Sequence, residues 1–224
     1  MNSISKIKGL KYPDEYFTKF FFKNKLHEKK RLKYLEFGCG NGSNLMLPYG
    51  YENSAIGVDY SSGLIEMASH NFALLNNQGS NYEFIAEDMR EFVKIDRDIY
   101  ADVFLLPSVI YYITQKDFEV FLKNIIQNRY IKESIPFYIR VRTQKDFRFG
   151  LGKKIASNSY QMPEDVITGE SNALITFYDE TIIVKLLEKY LKLRDYKIFN
   201  LDNQNEHNGE IVLNSDIVIW GTIN

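Results

Sequence analysis

The chain has 224 residues, with 28 Lys and Arg against 29 Asp and Glu, so its charge gives no global pull toward nucleic acid or an anionic membrane. Its 45% hydrophobic and 25% charged content is that of a globular chain, and sixteen Phe with sixteen Tyr supply core and pocket material. The single cysteine, Cys39, excludes an intramolecular disulfide, and three scattered histidines predict no metal site. No signal-like segment opens the chain and no apolar run approaches the roughly 20 residues that span a bilayer, so a cytoplasmic protein without a membrane partner is expected.

The elements are predicted in chain order from periodicity and punctuation. An aromatic helix, Tyr16 to Phe22, follows Pro13. Leu32–Phe37 is a short apolar run ending in glycines, and Ser54–Asp59 a second ending in an acid; both read as buried strands entering turns. Between them Ser43–Tyr49 predicts a short helix stopped near Pro48. Ser61–Asn77 keeps helical spacing through Leu64, Ile65, Ala68, Phe72 and Leu75, with Ser61 or Ser62 as N-cap. Strands at Tyr82–Ala86, Ala101–Leu106 and Ile135–Val141 follow, the last two separated by an amphipathic helix, Lys116–Asn128. Alternation of this kind implies parallel βαβ units. After helix Glu180–Leu191 come strand-like runs Tyr196–Leu201 and Asp216–Ile223 with no helix between them, a terminal antiparallel pair. The excursion 144–176 is too long for an ordinary connection and suggests a lid or cap.

The loop Gly38-Cys39-Gly40-Asn41-Gly42 lets the backbone turn sharply and approach a ligand closely. Taken alone it is also compatible with a bare structural turn. Asp59, about 20 residues on, stands where an acid accepts ribose hydroxyls, and Glu87-Asp88-Met89 offers an acid and an apolar side chain for a base. The spacing G-x-G-x-G departs from the dinucleotide pattern, whose third glycine would fall at Ser43.

Leu35–Gly42, Gly57-Val58-Asp59-Tyr60-Ser61, Glu87-Asp88-Met89 and Leu105-Leu106-Pro107-Ser108 resemble, in order, the successive motifs of class I S-adenosylmethionine (SAM)-dependent methyltransferases. The resemblance covers about Leu32 to Thr143, and more weakly the final hairpin. It implies a Rossmann-like α/β fold, mostly parallel with a terminal antiparallel strand, helices on both faces and a small cap after strand five. It also implies SAM as cofactor and S-adenosylhomocysteine (SAH) as product. Glu36 and the loop, with Gly38, Cys39 and Gly40, would hold the methionine moiety, Asp59 the ribose, and Tyr60 and Met89 the adenine faces. Asp88 would take the adenine amino group and the backbone at Leu106 the ammonium, with Asn44, Ser61 and Ser108 as further cofactor-binding candidates. In similar enzymes an N-terminal segment closes over SAM, making residues 1–31 a lid with Tyr12 and Tyr16 as candidates.

On the acceptor side the motif that similar enzymes use for amide or exocyclic nitrogens is replaced by Leu106-Pro107-Ser108-Val109. Tyr111 and Tyr112 follow strand four as candidate catalytic residues or as plain aromatic walls. Arg140, Arg142, Arg148 and Lys153 belong to a run of cations in which Asp146 is the only acid; guanidinium groups there would grip phosphate or carboxylate, unless the run is a solvated face. Tyr160 of the excursion is a further substrate candidate. His207, between the last two strands, is a candidate base or an exposed turn residue. The reading is one domain, 1–224, with an acceptor-side insertion at 144–176, homo-oligomeric assembly remaining open. It would O-methylate a small anionic or phosphorylated acceptor such as a surface-polysaccharide precursor. A small-molecule N-methyltransferase and a noncatalytic SAM-binding protein are the alternatives, and nucleic acid is disfavoured.

Overall fold

The computed structural model describes residues 3–75 and 81–224. In chain order its strands are β1 (Lys33–Phe37), β2 (Ser54–Asp59), β3 (Tyr82–Ala86), β4 (Val103–Pro107), β5 (Ile135–Arg142), β6 (Lys153–Ala156), β7 (Ser159–Gln161), β8 (Leu174–Thr176), β9 (Arg194–His207) and β10 (Glu210–Ile223). The α-helices are α1 (Glu15–Lys23), α2 (Met46–Gly50), α3 (Ser62–Leu75), α4 (Met89–Phe92), α5 (Gln115–Gln127) and α6 (Glu180–Leu191). Seven strands form one sheet in the order β3-β2-β1-β4-β5-β10-β9. β1 to β5 pair in parallel, and β10 runs antiparallel to both β5 and β9. This is the Rossmann-like methyltransferase sheet with one antiparallel strand that the pattern predicted.

Period-two alternation divides the strands between two cores. Leu35 and Phe37 of β1 pack with Phe118, Phe121 and Leu122 of α5 and Leu187 of α6. Tyr34, on the opposite face, packs with Phe17, Phe20 and Phe21 of α1 and Phe72 of α3. Full burial of each of those three α1 phenylalanines contributes about 1.5–3 kcal/mol, which fixes α1 on the sheet. The helices are started by side-chain caps: Asp14 accepts the Phe17 N–H at 2.8 Å, Thr114 that of Asp117 at 3.1 Å, and Asp179 that of Ile182 at 2.8 Å.

Two predicted boundaries differ and a third is not tested. Pro48 does not stop α2 but lies in its first turn, where its missing N–H would have no partner in any case. The α3 pattern was expected to reach Asn77; the helix is seen to Leu75, and the remainder lies outside the described residues. The final strands are far longer than their apolar runs, because the polar stretch Asp202–His207 continues β9 to a two-residue turn at Asn208-Gly209. Both turn residues have positive φ, 51° and 88°, the geometry for which Asn-Gly is favoured in tight hairpins. The excursion after β5 folds into a three-stranded antiparallel sheet, β6-β7-β8, around Met162, Ile175, Phe177 and the core residue Tyr111.

Since strand order reverses between β1 and β4, the crevice beyond their carboxyl ends is where an open α/β sheet binds ligands. The glycine loop after β1 and the segment after β4 both open into it.

Candidate active site

A cavity of about 690 Å³ occupies that crevice. Gly38, Gly40, Asp59, Tyr60, Asp88, Met89 and Ser108, all expected to hold the cofactor, line it together with Val109, Tyr112, Ile113 and residues 169–174 of the insertion. Residues expected on the cofactor side and residues expected on the acceptor side therefore share one cavity.

Backbone chemistry builds the cofactor side. Gly38 and Gly40 have φ of +68° and +54°, a region that favours glycine. A Cβ on Gly38 would lie 2.4 Å from Val109 Cγ2, whereas one on Gly40 would meet nothing within 4 Å and project into open space. Asp59, buried at the end of β2, accepts the Gly40 N–H on Oδ2 at 2.9 Å and the Ser61 N–H on Oδ1 at 3.0 Å. Each oxygen keeps acceptor capacity for a hydroxyl. Asp88 caps α4 and accepts from Arg90 Nε at 3.0 Å and Nη2 at 2.5 Å; this hydrogen bonding holds its carboxyl below the ordinary range. Arg90 thus occupies part of the surface expected to meet an adenine amino group.

Glu36 faces the α1 side of the sheet and is 1% exposed. Its Oε1 accepts from Asn44 Nδ2 at 3.0 Å, while Oε2 is buried with no partner. Burial pushes its carboxyl up to about 8, with Asp59 and Asp14 adding to the effect and the Asn44 bond opposing it. Glu36 stands two residues before the glycine loop and is buried behind the cavity lining; its orphaned carboxylate oxygen fits the ammonium of SAM, and paired acceptors on Asp59, which lines the cavity, fit its ribose. Space over Gly40 fits the approach of a ligand to the backbone.

The N-terminal segment is stitched over the glycine loop by asparagines. Asn41 Nδ2 donates to the carbonyls of Lys8 and Leu10, both at 2.7 Å, and Asn44 Oδ1 accepts the Asp14 N–H at 2.8 Å. Asp14 also accepts from Tyr138 Oη at 2.8 Å and Arg140 Nη1 at 2.6 Å. Tyr12 is exposed, and Tyr16 packs against Phe199; neither lines the cavity. Cys39, Asn44 and Leu106 are buried behind it, and Ser61 caps α3, accepting the Leu64 N–H at 3.4 Å.

The acceptor side departs from the sequence expectation. Arg140 is held by Asp14 and Asp216, and Arg142 by Glu170 at 2.8 Å. Arg148 lies between Asp146 at 2.8 Å and Glu170 at 2.5 Å. Burial works against the charges on Arg140 and Arg142, but their acidic partners and neighbouring tyrosines outweigh it and push both pKa values up. The run contains a single acid along the chain; the fold brings three more to it from the N-terminus, the insertion and β10. Each of these guanidinium groups therefore has an internal carboxylate partner. Lys153 is exposed on β6, and Tyr160 packs beside the small core of the insertion.

Tyr111 is buried in that core, with the Arg142 guanidinium over its ring at 4.4 Å, and does not line the cavity. Tyr112 does line the cavity and its Oη donates to Glu170 Oε1 at 3.2 Å. Burial, with Tyr111 and Glu170 nearby, pushes the Tyr112 phenol up, which keeps its proton in place and unsuits it as a base. His207 ends β9 at the hairpin and is not a cavity residue. Glu170 and Arg90 are the site residues that the sequence did not single out: Glu170 sits in a Thr-Gly-Glu-Ser-Asn stretch with no periodic or motif signal, and Arg90 directly follows a motif residue.

Residues 35–128 match the family model of a methyltransferase domain. No protein of curated function matches the sequence. Among solved structures the chain is similar to a SAM-dependent methyltransferase from Methanosarcina mazei, at 18% identity over 89% of this chain and 96% of that one, TM-score 0.63. It is also similar to an S-adenosylmethionine-dependent methyltransferase from Clostridium acetobutylicum, at 16% identity over 91% and 89%, TM-score 0.58. A third is the magnesium protoporphyrin IX methyltransferase of Synechocystis with bound SAM, at 12% identity over 92% and 76%, TM-score 0.54. These likenesses show the fold, and the methyltransferase activity rests on the matched domain of residues 35–128. Its cofactor is SAM. No helix of the described residues is long and apolar enough to cross a membrane.

Proposed function

We propose that the chain methylates a small acceptor that bears no negative charge where it enters the cavity, and that its nucleophile is a nitrogen. SAM supplies a sulfonium methyl group, whose transfer is an in-line displacement that needs alignment and exclusion of water more than acid–base chemistry. The chain's part is to hold the cofactor through Glu36, the glycine loop and Asp59. It closes the cavity with the Ser108–Ile113 segment and residues 169–174, so that the insertion 144–176 acts as a cap and the N-terminal segment as a lid.

The observation that carries the acceptor reading is that the acids around the cavity are engaged. Glu87 pairs with Arg97 at 2.8 Å, Asp88 with Arg90, Glu170 with Arg142 and Arg148, and Asp59 with two backbone N–H groups. Tyr112 keeps its proton. An alcohol would find no free base, while a nitrogen lone pair needs none at the moment of transfer. The phosphorylated acceptor expected from sequence, a polysaccharide precursor among them, would need the guanidinium groups that internal carboxylates occupy. The test is SAH formation across a panel of small amines and sugar phosphates with SAM, followed by mass spectrometric location of the new methyl. Methyl on nitrogen supports the reading; turnover confined to phosphate-bearing acceptors overturns it.

A further inference from the structure

Glu170 is the one residue of the insertion that joins the cavity wall to the buried cations of the core. It is itself 14% exposed. Its Oε1 accepts from Arg142 Nη1 at 2.8 Å and from Tyr112 Oη at 3.2 Å, and its Oε2 from Thr168 Oγ1 at 2.9 Å, with Arg148 Nε 2.5 Å away. Burial acts to raise the carboxyl, yet Arg142 and Arg148 outweigh it and hold it below the ordinary range, so it is a carboxylate throughout the physiological range. Tyr112 belongs to the cavity wall and donates to the same oxygen that receives Arg142. That oxygen therefore stands at the boundary between the cavity and the guanidinium.

We propose that Glu170 is a specificity-determining residue: an internal carboxylate that occupies Arg142 and so shuts anionic acceptors out of the cavity. A guanidinium pairs with carboxylate or phosphate through the same fork, and here the fork is filled by the chain itself. Arg148 retains Asp146 at 2.8 Å when Glu170 is removed. Arg142 would keep only Asp146 at 3.8 Å and the face of Tyr111, and its Nε has no hydrogen-bond partner even now. Loss of the Glu170 carboxylate thus leaves one buried cation, directly behind the cavity-lining position 170, with only the more distant Asp146 carboxylate as counter-charge, an incentive to an incoming anion. The inference rests on the acceptor reading above, since it supplies the residue that makes the acceptor non-anionic.

The test compares wild type, Glu170→Ala and the double variant Glu170→Ala/Arg142→Met in thermal melts with acetate and with phenyl phosphate. Acetate replaces the lost carboxylate; phenyl phosphate reports whether the vacated place opens to the cavity. Glu170→Ala should be stabilised by both, by about 2–4 °C at about 10 mM ligand for a Kd of about 2 mM. Wild type and the double variant should shift by less than about 1 °C, the resolution of the same measurement. The double variant removes both members of the pair and so avoids the unpaired cation of the single one. Arg142-dependent binding of phenyl phosphate to wild type would overturn the proposal, and so would rescue of Glu170→Ala by acetate alone or by neither anion. SAH calorimetry on the same proteins separates the two readings: wild type that fails to bind SAH defeats the methyltransferase reading and leaves the anion comparison standing by itself.

Discussion

Replacing Glu36 by glutamine should make the protein more stable and its cofactor affinity worse. Glu36 is buried beside Asn44, with one oxygen unpartnered and two further carboxylates, Asp59 and Asp14, acting on it. Tyr138 and Cys39 also feel its charge, and Arg140, which acts on Tyr138 as well, is taken up by Asp14 and Asp216. The folded carboxyl titrates at about 8 against an ordinary value of 4.5. The folded state therefore holds a proton that the unfolded chain has lost between those limits, and stability falls as pH rises through that window. At about 1.36 kcal/mol per unit, the loss reaches about 3 kcal/mol by pH 7 and levels off above pH 8. The glutamine side chain cannot ionise and its amide oxygen can still accept from Asn44, so Glu36→Gln should match wild type near pH 5 and exceed it by about 3 kcal/mol at pH 7. For a chain of this size that is roughly 6–12 °C in Tm. Binding should move the other way once Glu36 is ionised, above about pH 8, because the ammonium of SAM or SAH then loses a charge-assisted hydrogen bond worth about 1.5–3 kcal/mol, an affinity loss of about 10- to 100-fold. Urea melts from pH 5 to 8.5 and SAH calorimetry read the two effects. A stability difference that does not grow with pH would refute the buried, protonated Glu36. Unchanged SAH affinity would refute its role toward the ammonium.

Other consequences separate fold from site. Gly40→Ala should fold, since its Cβ meets no atom, yet weaken SAH binding about tenfold or more by filling the ligand's space, an effect of order 1.4 kcal/mol; equal binding by calorimetry would place the cofactor elsewhere. Gly38→Ala, with its Cβ 2.4 Å from Val109, should instead lower Tm, at a cost of about 1–3 kcal/mol. Asp59→Ala should abolish two backbone hydrogen bonds and the ribose acceptor together, reducing SAH affinity at least about tenfold; retention of affinity would remove Asp59 from the site. Asp14→Ala deletes the cap of α1, an ion pair to Arg140 and the acceptor for Tyr138. It should cost about 2–4 kcal/mol and alter the fluorescence of Trp220, the chain's single tryptophan, which packs against Phe20 of α1; an unchanged emission spectrum would show that α1 does not depend on Asp14.

What could be read from the sequence was whatever depends on neighbours along the chain. Apolar runs closed by glycine or acid located β1 and β2 to within a residue, because a strand buried on both faces leaves a short continuous signature. The helix expected at Glu180–Leu191 is α6 with the same bounds. The second half of β9 was invisible, since Asp202–His207 holds no apolar residue and only Asn208-Gly209 marked the turn. The cation run shows the limit most clearly. Along the chain Arg140, Arg142 and Arg148 have one acid among them, and a free anion site follows naturally from that count. In space Asp14 arrives from the N-terminus, Asp216 from β10 and Glu170 from the insertion. None of these acids has a local pattern that points to an arginine so distant along the chain. A buried guanidinium requires a counter-charge, so three arginines on and beyond a core strand were themselves the signal. They implied distant acids before they implied a substrate, and a strand position facing a core is the place where the demand for an internal partner outweighs the offer to an external one.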